Sequence, residues 1–357
     1  MINVLLVEDS PVVRDLLAYI LHSDPEVRVI ATAAGGEEAV AAAQRTRPDV
    51  ITMDIHMPGM DGFDATRRIM QVCPTPIVIV SGSSSKQETA WAFRAIEAGA
   101  LAVVGKPLGP GAPGYETAAE QLLRTVKLMS EVKVVRRWAR PSRSPQRELS
   151  SSPSVPADVR LVAMGASTGG PPVLQTILSS LLGDFPAPIV VVQHMAAGFI
   201  EGFAEWLGQT CQLPVCVAKH RAELLPGHVY VAPDGREMKV SEGGTVLLVE
   251  EAPRNGIRPS VASLFRSVAE AYGSTALGVL LTGMGKDGAE ELKLMRQRGA
   301  VTIAQDSKSS VVYGMPGEAV RIGAAVYELS PEQIASVLQG LVRGHALNRG
   351  LKPWGGS

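Results

Sequence analysis

The chain contains few of the residues that mark several common classes of protein. Of its 357 residues only 4% are aromatic and three are cysteine, and the formal net charge is −1. Cys73, Cys211 and Cys216 form no C-x-x-C pair, which disfavours a disulfide framework or a zinc site and favours a reducing compartment. A net charge so close to zero gives no indication of binding to nucleic acid or to an acidic membrane surface.

Long apolar runs are also missing. No uninterrupted stretch approaches the roughly 18 residues that a membrane-spanning helix needs, and the first residues lack the basic region of a signal peptide. We therefore expect a soluble, cytoplasmic protein. What the chain does have is a globular composition, 46% hydrophobic, and enough length for two domains.

Short apolar runs alternate with amphipathic segments through both halves of the chain. The alternation predicts an α/β protein with two doubly wound parallel sheets, a (βα)5 unit in the first half and a Rossmann-like unit in the second. The region Val215–Val249 is rich in β-branched residues and turn signals, and we interpret it as a β-hairpin insertion. The predicted strands are Ile2–Val7, Arg28–Thr32, Val50–Met53, Ile77–Val80, Leu101–Val104, Leu161–Met164, Ile189–Val192, Val229–Val231, Leu277–Leu281 and Val301–Ala304.

A Ser- and Pro-rich segment separates the two halves. Residues 139–157 include six Ser, four Pro and three Arg with almost no large apolar side chain, so they are predicted to form a mobile linker. The predicted domains are residues 1–125 and 158–347. A helix extension and the linker occupy 126–157, and a tail occupies 348–357.

Charged and hydroxyl side chains follow four predicted strands of the first half. Glu8 and Asp9 follow the first strand, Asp54 the third, Ser81 the fourth and Lys106 the fifth. Parallel strands end at one edge of their sheet, so these side chains are expected to meet there. The three acids suit Mg²⁺, Asp54 suits a phosphoryl-accepting nucleophile, and Ser81 and Lys106 suit the phosphoryl oxygens. Taken singly, each residue could equally be a helix cap or a solvated turn.

Together with the sequence MPGMDG at 57–62, these positions resemble the receiver domains of two-component response regulators over residues 1 to about 125. The resemblance implies phosphorylation of Asp54 by a histidine kinase, with Mg²⁺ as cofactor. Val103 stands where many receivers have an aromatic switch residue, so the route by which the signal leaves the domain is open.

A second group of candidate residues begins in a glycine-rich turn at 165–172. Ser167 lies here in a G-x-S-x-G pattern between a predicted strand and a predicted helix, where free amides can stabilise a developing anion. The backbone amides of Thr168 and Met284 are the candidate oxyanion donors. The same type of turn also binds phosphates, so the motif alone leaves nucleotide binding open.

A serine nucleophile needs a base and an orienting acid. His194 follows an apolar strand and is the best placed of the six histidines, with His220 and His228 as alternatives. Asp287, in a glycine-rich segment that follows another strand, is the candidate acid. The order Ser, His, Asp differs from that of α/β-hydrolases, so that fold is not implied.

Motifs spread over nearly the whole chain resemble the chemotaxis protein-glutamate methylesterases. They are GASTGG at 165–170, QHM at 193–195, LPGHVYVAP at 225–233, RPSV at 258–261, LTGMGKDGA at 281–289, AQD at 304–306 and VYGMP at 312–316. The resemblance implies hydrolysis of glutamate γ-methyl esters, and deamidation of certain glutamines, by Ser167 with His194 as base and Asp287 as orienting acid. It implies no cofactor for the hydrolysis.

The implied partners are methyl-accepting chemoreceptors as substrate and the histidine kinase of the chemosensory array as phosphodonor, with no nucleic acid and no membrane insertion. Ala196, Ile200, Glu237 and Ala262 depart from the residues usual in that family. We expect these four positions near the substrate groove, where they bear on receptor choice.

We hypothesise that the unphosphorylated receiver covers the Ser167 cleft and that phosphate at Asp54 releases it. A competing hypothesis is a phospho-switch whose second half binds a nucleotide or a partner without catalysis. A DNA-binding regulator is disfavoured because no basic recognition helix follows the linker.

Overall fold

The structure is a computed structural model that describes residues 1–82, 86–132, 134, 159–251 and 258–342. The chain forms two compact units, each with its own parallel sheet. No described helix is long and apolar enough to cross a bilayer. Cys73, Cys211 and Cys216 are all free thiols, as the sequence predicts. The predicted linker at 139–157 lies outside the described residues. The predicted domain boundaries also stay predictions.

The first unit contains the predicted five-stranded sheet, in the order β2-β1-β3-β4-β5 with all neighbours parallel. Its strands are β1 (Ile2–Val7), β2 (Val27–Ala33), β3 (Val50–Met53), β4 (Ile77–Ser81) and β5 (Ala102–Gly105). Its helices are α1 (Pro11–His22), α2 (Gly36–Thr46), α3 (Gly62–Val72), α4 (Lys86–Glu97) and α5 (Tyr115–Ser130). The chain reverses its direction of travel across the sheet between β1 and β3, which is where α/β sheets place their ligands.

Local sequence fixes the two helices that flank this reversal. Ser10 caps α1 by accepting a hydrogen bond from the Val13 amide, with Pro11 in the first turn. Asp61 caps α3 through the Asp64 amide. A Cβ on Gly62 would lie 2.0 Å from the Asp54 carbonyl oxygen, so only glycine lets α3 begin against the end of β3.

The second unit contains a seven-stranded parallel sheet in the order β14-β13-β12-β6-β7-β9-β8. Its strands are β6 (Leu161–Ala166), β7 (Ile189–Gln193), β8 (Val215–Val217), β9 (Val229–Val231), β12 (Ala276–Leu280), β13 (Val301–Gln305) and β14 (Tyr327–Leu329). Its helices are α6 (Gly170–Leu178), α7 (Ile200–Thr210), α8 (Val261–Tyr272), α9 (Ala289–Gln297), α10 (Met315–Arg321) and α11 (Pro331–Val342). The reversal here falls between β6 and β12.

The predicted hairpin is present and is shorter than the region assigned to it. Strands β10 (Glu237–Val240) and β11 (Val246–Val249) pair antiparallel, whereas β8 and β9, from the same region, pair parallel and extend the main sheet. The edge strands β8 and β14 were not predicted as strands of the main sheet, because a three-residue edge strand with partly exposed side chains resembles a loop in sequence.

The core of the second unit explains the positions of β6 and β12. Both strands are fully buried, and α8 and α9 pack on one face through Leu264, Phe265 and Leu292. Burial on both faces requires near-continuous apolar strands, so polar residues can begin only where the strands end. The ends of β6, β7 and β12 are therefore the places where chemistry is possible.

Candidate functional sites

The first candidate site lies at the carboxyl ends of β1 and β3. Glu8, Asp9 and Asp54 each bring one carboxylate oxygen to within 4.8 Å of the others. Glu8 and Asp54 are buried, and burial, followed by the nearby charge of Asp54, raises the pKa of Glu8. The strand register therefore brings Asp54 to two acids that lie more than forty positions earlier in the sequence.

Lys106, just after β5, carries the counter-charge. Its Nζ lies 3.0 Å from Glu8 Oε2 and 3.0 Å from Asp54 Oδ1. Burial alone would lower the pKa of Lys106, but the two carboxylates outweigh it and raise the pKa. Asp54 Oδ1 also accepts the Ile55 amide at 2.7 Å. Among the described residues, Asp54 Oδ2 has no such partner, which leaves one oxygen of Asp54 for chemistry.

Ser81 ends β4 at the same edge, as predicted, but its hydroxyl does not reach the carboxylates. It donates to the carbonyl of Gly82 at 3.2 Å. The Ser81 carbonyl accepts the Lys106 amide, so the two residues are neighbours through the backbone. A role for the Ser81 hydroxyl toward a phosphoryl group stays a prediction.

The acidic cluster fits Mg²⁺. Glu8 Oε2 is buried and, despite its 3.0 Å approach to Lys106, makes no hydrogen bond of normal geometry. Carboxylate oxygens are the hard ligands that Mg²⁺ prefers, and one of the three carboxylates here has a buried oxygen without a hydrogen bond. Water and phosphate oxygens would complete the shell of the ion.

The second candidate site is built around the turn that follows β6. The Ser167 amide donates to the Thr282 carbonyl at 3.0 Å, and the Ser167 carbonyl accepts the Gly170 amide at 2.9 Å. Gly169 adopts a left-handed φ of 78° just before α6. A Cβ on Gly283 would lie 2.7 Å from Ser167 Cβ, so the segment after β12 passes close to Ser167 only because position 283 has no side chain.

His194 and Asp287 meet at the same edge. His194 Nε2 lies 3.0 Å from Asp287 Oδ2, and both side chains are partly buried. Nε2 makes no hydrogen bond of normal geometry, so the two groups are close but the ring is not turned for a hydrogen bond. The His194 amide donates to the Ala166 carbonyl at 2.9 Å, which sets His194 beside Ser167 across the β6–β7 pairing.

Two backbone amides hold Asp287 from the far side. Val261 and Ala262, the first residues of α8, donate to Oδ2 at 2.6 Å and to Oδ1 at 3.2 Å. Burial by itself would raise the pKa of Asp287, but His194 and these amides outweigh it and lower the pKa. Asp287 therefore stays ionised beside the imidazole, as an orienting acid must.

The alternative histidines have other roles. His220 Nδ1 accepts the Leu248 amide at 3.1 Å. His228 Nδ1 lies 2.9 Å from the Pro226 carbonyl, and its ring stacks near Tyr230. Neither residue contacts Ser167 or Asp287 in the described part of the chain, so His194 is the candidate base. No hydrogen bond joins the Ser167 hydroxyl to the imidazole among the described residues, so the relay is assembled in part.

The candidate oxyanion donors lie in the turns beside Ser167. The Thr168 amide makes no hydrogen bond to any described residue, whereas the Ser167 amide is used by Thr282. Met284 directly follows Gly283, whose Cα approaches Ser167. The Thr282 hydroxyl donates to the Thr168 carbonyl at 2.9 Å and accepts the Val312 amide at 2.9 Å, which fixes the peptide after the nucleophile.

Four supporting residues were missed by sequence reasoning: Gln193, Ser260, Thr282 and Gln305. Ser260 caps α8 through the Ser263 amide, and the pattern of a serine before an apolar run was available to find it. The glutamines gave no signal, because a polar residue at a strand end is common.

Two of the four positions that depart from the family, Glu237 and Ala262, have buried side chains, and their nearness to a substrate groove stays a prediction. Glu237 is fully buried, and its Oε2 accepts the Ser260 amide at 2.8 Å and the Ser260 hydroxyl at 3.0 Å. Ala262 is likewise buried. A side chain without exposed surface cannot select a receptor by contact, and Glu237 instead supports the start of α8.

Comparison with known proteins gives matches over both units. The family model for the CheB methylesterase matches residues 162–338, and the model for the response regulator receiver domain matches residues 4–112. A protein-glutamate methylesterase/protein-glutamine glutaminase of Nitrosospira multiformis is 56% identical over 96% of this chain and 97% of its own length. The chain belongs to that family. A relative of the same name in Geobacter metallireducens is 54% identical over 96% of this chain and 99% of its own length.

A solved structure extends the likeness to the fold. The crystal structure of the CheB methylesterase catalytic domain of Thermotoga maritima is 39% identical, with a TM-score of 0.50. It covers 51% of this chain and 98% of that domain. The family assignment confirms the predicted resemblance and the predicted pairing of a receiver with a methylesterase.

Proposed function

We propose that the second unit hydrolyses glutamate γ-methyl esters on methyl-accepting chemoreceptors, with Ser167 as nucleophile, His194 as general base and Asp287 as orienting acid. The observation that carries this proposal is the 3.0 Å approach of His194 Nε2 to an ionised, amide-clamped Asp287 beside the Ser167 turn. A domain that only bound a nucleotide would have no need of that pair.

The contacts of His194 define the proton path. Nε2 is directed at Asp287, so Nδ1 is the nitrogen left to accept the Ser167 proton. The Ser167 oxygen attacks the ester carbonyl while that proton passes to Nδ1. The amides of Thr168 and Met284 are the proposed donors to the resulting oxyanion, and one such donor is worth about a hundred- to a thousandfold.

The products follow from proton balance. Methanol leaves with the proton from the imidazole and an acyl ester remains on Ser167. Water then attacks that ester and gives one proton to the same nitrogen, which passes it to the departing serine oxygen and restores the hydroxyl. The glutamic acid that is released loses its remaining proton to solvent and becomes a carboxylate. A glutamine side chain would follow the same steps with ammonia as the leaving group, which accounts for a glutaminase activity.

We further propose that phosphorylation of Asp54 by a histidine kinase of the chemosensory array activates this hydrolysis by releasing the cleft from the receiver. Glu8, Asp9 and Asp54 would hold Mg²⁺, which would neutralise phosphoryl charge. Lys106 is placed to bind a phosphoryl oxygen. The free thiols suit a cytoplasmic setting.

Methanol release from methylated receptor membranes tests the hydrolase proposal. Ser167→Ala in the full chain is expected to lower the rate at least a thousandfold or so, while Asp54 still accepts phosphate from a small phosphodonor. Ser336→Ala, which removes a hydroxyl bonded to its own helix α11, is the matched control and keeps the parent rate. Methanol release by Ser167→Ala at the parent rate would refute the assignment.

A further inference from the structure

Gln193, the last residue of β7, joins the backbones of the proposed nucleophile and base. Its Nε2 donates to the Ser167 carbonyl at 2.8 Å and to the His194 carbonyl at 2.8 Å. The residue is 2% exposed. One amide group therefore bridges two peptides whose side chains must meet for catalysis. Ser167 lies 26 positions before Gln193 in the sequence, and His194 is the next residue.

Chemistry fixes which way this amide points. The Ser167 and His194 carbonyls can only accept hydrogen bonds, so the atom that faces both must be the nitrogen with its two protons. The opposite orientation would place three oxygens together. The two contacts also use both amide protons of Gln193, which leaves no other donor role for the side chain.

The amide oxygen shows that stability alone does not explain a glutamine here. Gln193 Oε1 is buried and has no hydrogen-bond partner within the part of the chain that the structure describes. It lies against α6, where a Cβ on Gly170 would come within 2.1 Å of it. A buried acceptor without a partner is destabilising, and an apolar side chain of the same length would avoid that cost. Buried polar groups without a partner are expected mainly at functional sites.

We infer that Gln193 is a positioning residue that sets the spacing between Ser167 and His194 for the proposed reaction. The inference rests on the triad proposed above. The Ser167 turn and the His194 peptide belong to different connections of the sheet, and their side chains make no hydrogen bond in the described structure. Gln193 binds both carbonyls through one amide nitrogen and so fixes the separation of the two peptides.

Gln193→Met tests the inference, because methionine keeps the length of the side chain and removes both amide protons and the partnerless oxygen. We expect kcat for methanol release to fall at least about tenfold, with KM within about a factor of two, because misplacement by about 1 Å can cost about a hundredfold. The thermal midpoint should fall somewhat, because two carbonyls lose a buried donor, so kcat is compared per folded molecule.

Gln339→Met is the matched control. Gln339 on α11 also donates its amide to a carbonyl of the same unit, that of Ser180, at 2.6 Å. Its loss should affect stability in the same way and leave kcat per folded molecule at the parent value. Equal kcat in Gln193→Met and Gln339→Met, each corrected for the folded fraction by circular dichroism, would overturn the inference.

Gln193→Glu keeps the test decisive if the methionine variant folds poorly. A carboxyl group between two carbonyls donates one hydrogen bond when protonated and none when ionised, and burial holds the proton to higher pH. The ratio of its kcat to that of the parent should therefore rise as the pH falls. A ratio of kcat values that does not change with pH contradicts the inference, since a purely structural effect would not depend on the protonation of the new carboxyl group.

The same assay separates this inference from the proposed function. If Ser167→Ala retains hydrolysis, the triad fails and the role of Gln193 fails with it. If Ser167→Ala is inactive while Gln193→Met matches Gln339→Met, only the positioning role is refuted.

Discussion

In the first unit the reactive groups are held by a lysine between two carboxylates, whereas around Ser167 in the second unit they are held by neutral hydrogen bonds. Lys106 Nζ lies 3.0 Å from a carboxylate oxygen of Glu8 and 3.0 Å from one of Asp54, so opposite charges hold these three side chains together. Around Ser167 the contacts are amides and hydroxyls, with Thr282 and Gln193 at their centre. Both sites nevertheless begin where a parallel sheet reverses its winding.

The difference follows from what each reaction requires. A phosphoryl group brings about −1.5 to −2 charges at neutral pH, so fixed charge is the suitable means of binding it. Acyl transfer requires a neutral hydroxyl to lose its proton at one position, and geometry decides its rate. We therefore expect variants of the first site to change the response to phosphate, and variants of the second to change kcat.

Among the variants that compare the two sites, Asp287→Asn should have the largest effect on the rate of methanol release. Asparagine cannot balance the charge of a protonated imidazole, and it lacks the second acceptor for the Val261 and Ala262 amides. We expect kcat for methanol release to fall by about a hundred- to ten-thousandfold. Asp306→Asn, at an aspartate that accepts the Ser309 amide, is the control. Similar rates for the two variants would remove Asp287 from the mechanism.

Asp54→Asn should abolish the response to phosphate and leave the resting rate unchanged. Coupling between two such sites is typically about 1–3 kcal/mol, so the parent should be activated about 5- to 150-fold by a small phosphodonor with Mg²⁺. Asp64→Asn removes an exposed aspartate paired with Arg67 and should keep the activation. A phosphodonor response that survives in Asp54→Asn would place the acceptor elsewhere.

Thr282→Val should have a smaller effect, confined to kcat. Valine keeps the shape of threonine but cannot hold the Thr168 carbonyl or the Val312 amide. The loss of one hydrogen bond of about 1.4 kcal/mol in the transition state lowers kcat about tenfold. Thr282→Ser restores the hydroxyl and should recover most of the rate. A serine variant as slow as the valine variant would show that packing, and not the hydrogen bond, is responsible.

The smallest effect is on stability against acid. Because the folded state lowers the pKa of Asp287, this residue stabilises the fold fully above its unfolded pKa of about 3.9. That contribution is lost as the pH falls through the lower folded value. The thermal midpoint of the parent, followed by circular dichroism, should therefore drop more steeply on acidification than that of Asp287→Asn. Parallel curves would mean that Asp287 is not stabilised in its ionised form.

The sequence allowed most of the fold and the principal side chains to be predicted, for one physical reason. Buried parallel strands are mostly apolar, so runs of polar residues mark their ends, as around Glu8, Asp54, Ser167 and His194. Three-residue edge strands such as Tyr327–Leu329 lack that contrast. They become strands because a neighbouring strand is already in place.

The supporting contacts were beyond sequence reasoning because they depend on distant packing. The amides that hold Asp287 come from the start of α8, 25 and 26 residues earlier in the chain. Gln193 and Gln305 each end a strand, yet only the folded sheet shows that one bonds to Ser167 and the other to Thr282. Glu237 is buried because α8 begins against the hairpin, which no local pattern reveals.

The reactivity of Ser167 toward a fluorophosphonate probe tests the central claim most directly, since the probe labels only a serine activated by a base. The full chain should be labelled on the peptide that contains Ser167. Labelling should be lost in His194→Gln and strongly slowed in Asp287→Asn, while Asp306→Asn is labelled at the parent rate. Equal labelling in all four proteins, or a label on another residue, would contradict the relay of Ser167, His194 and Asp287.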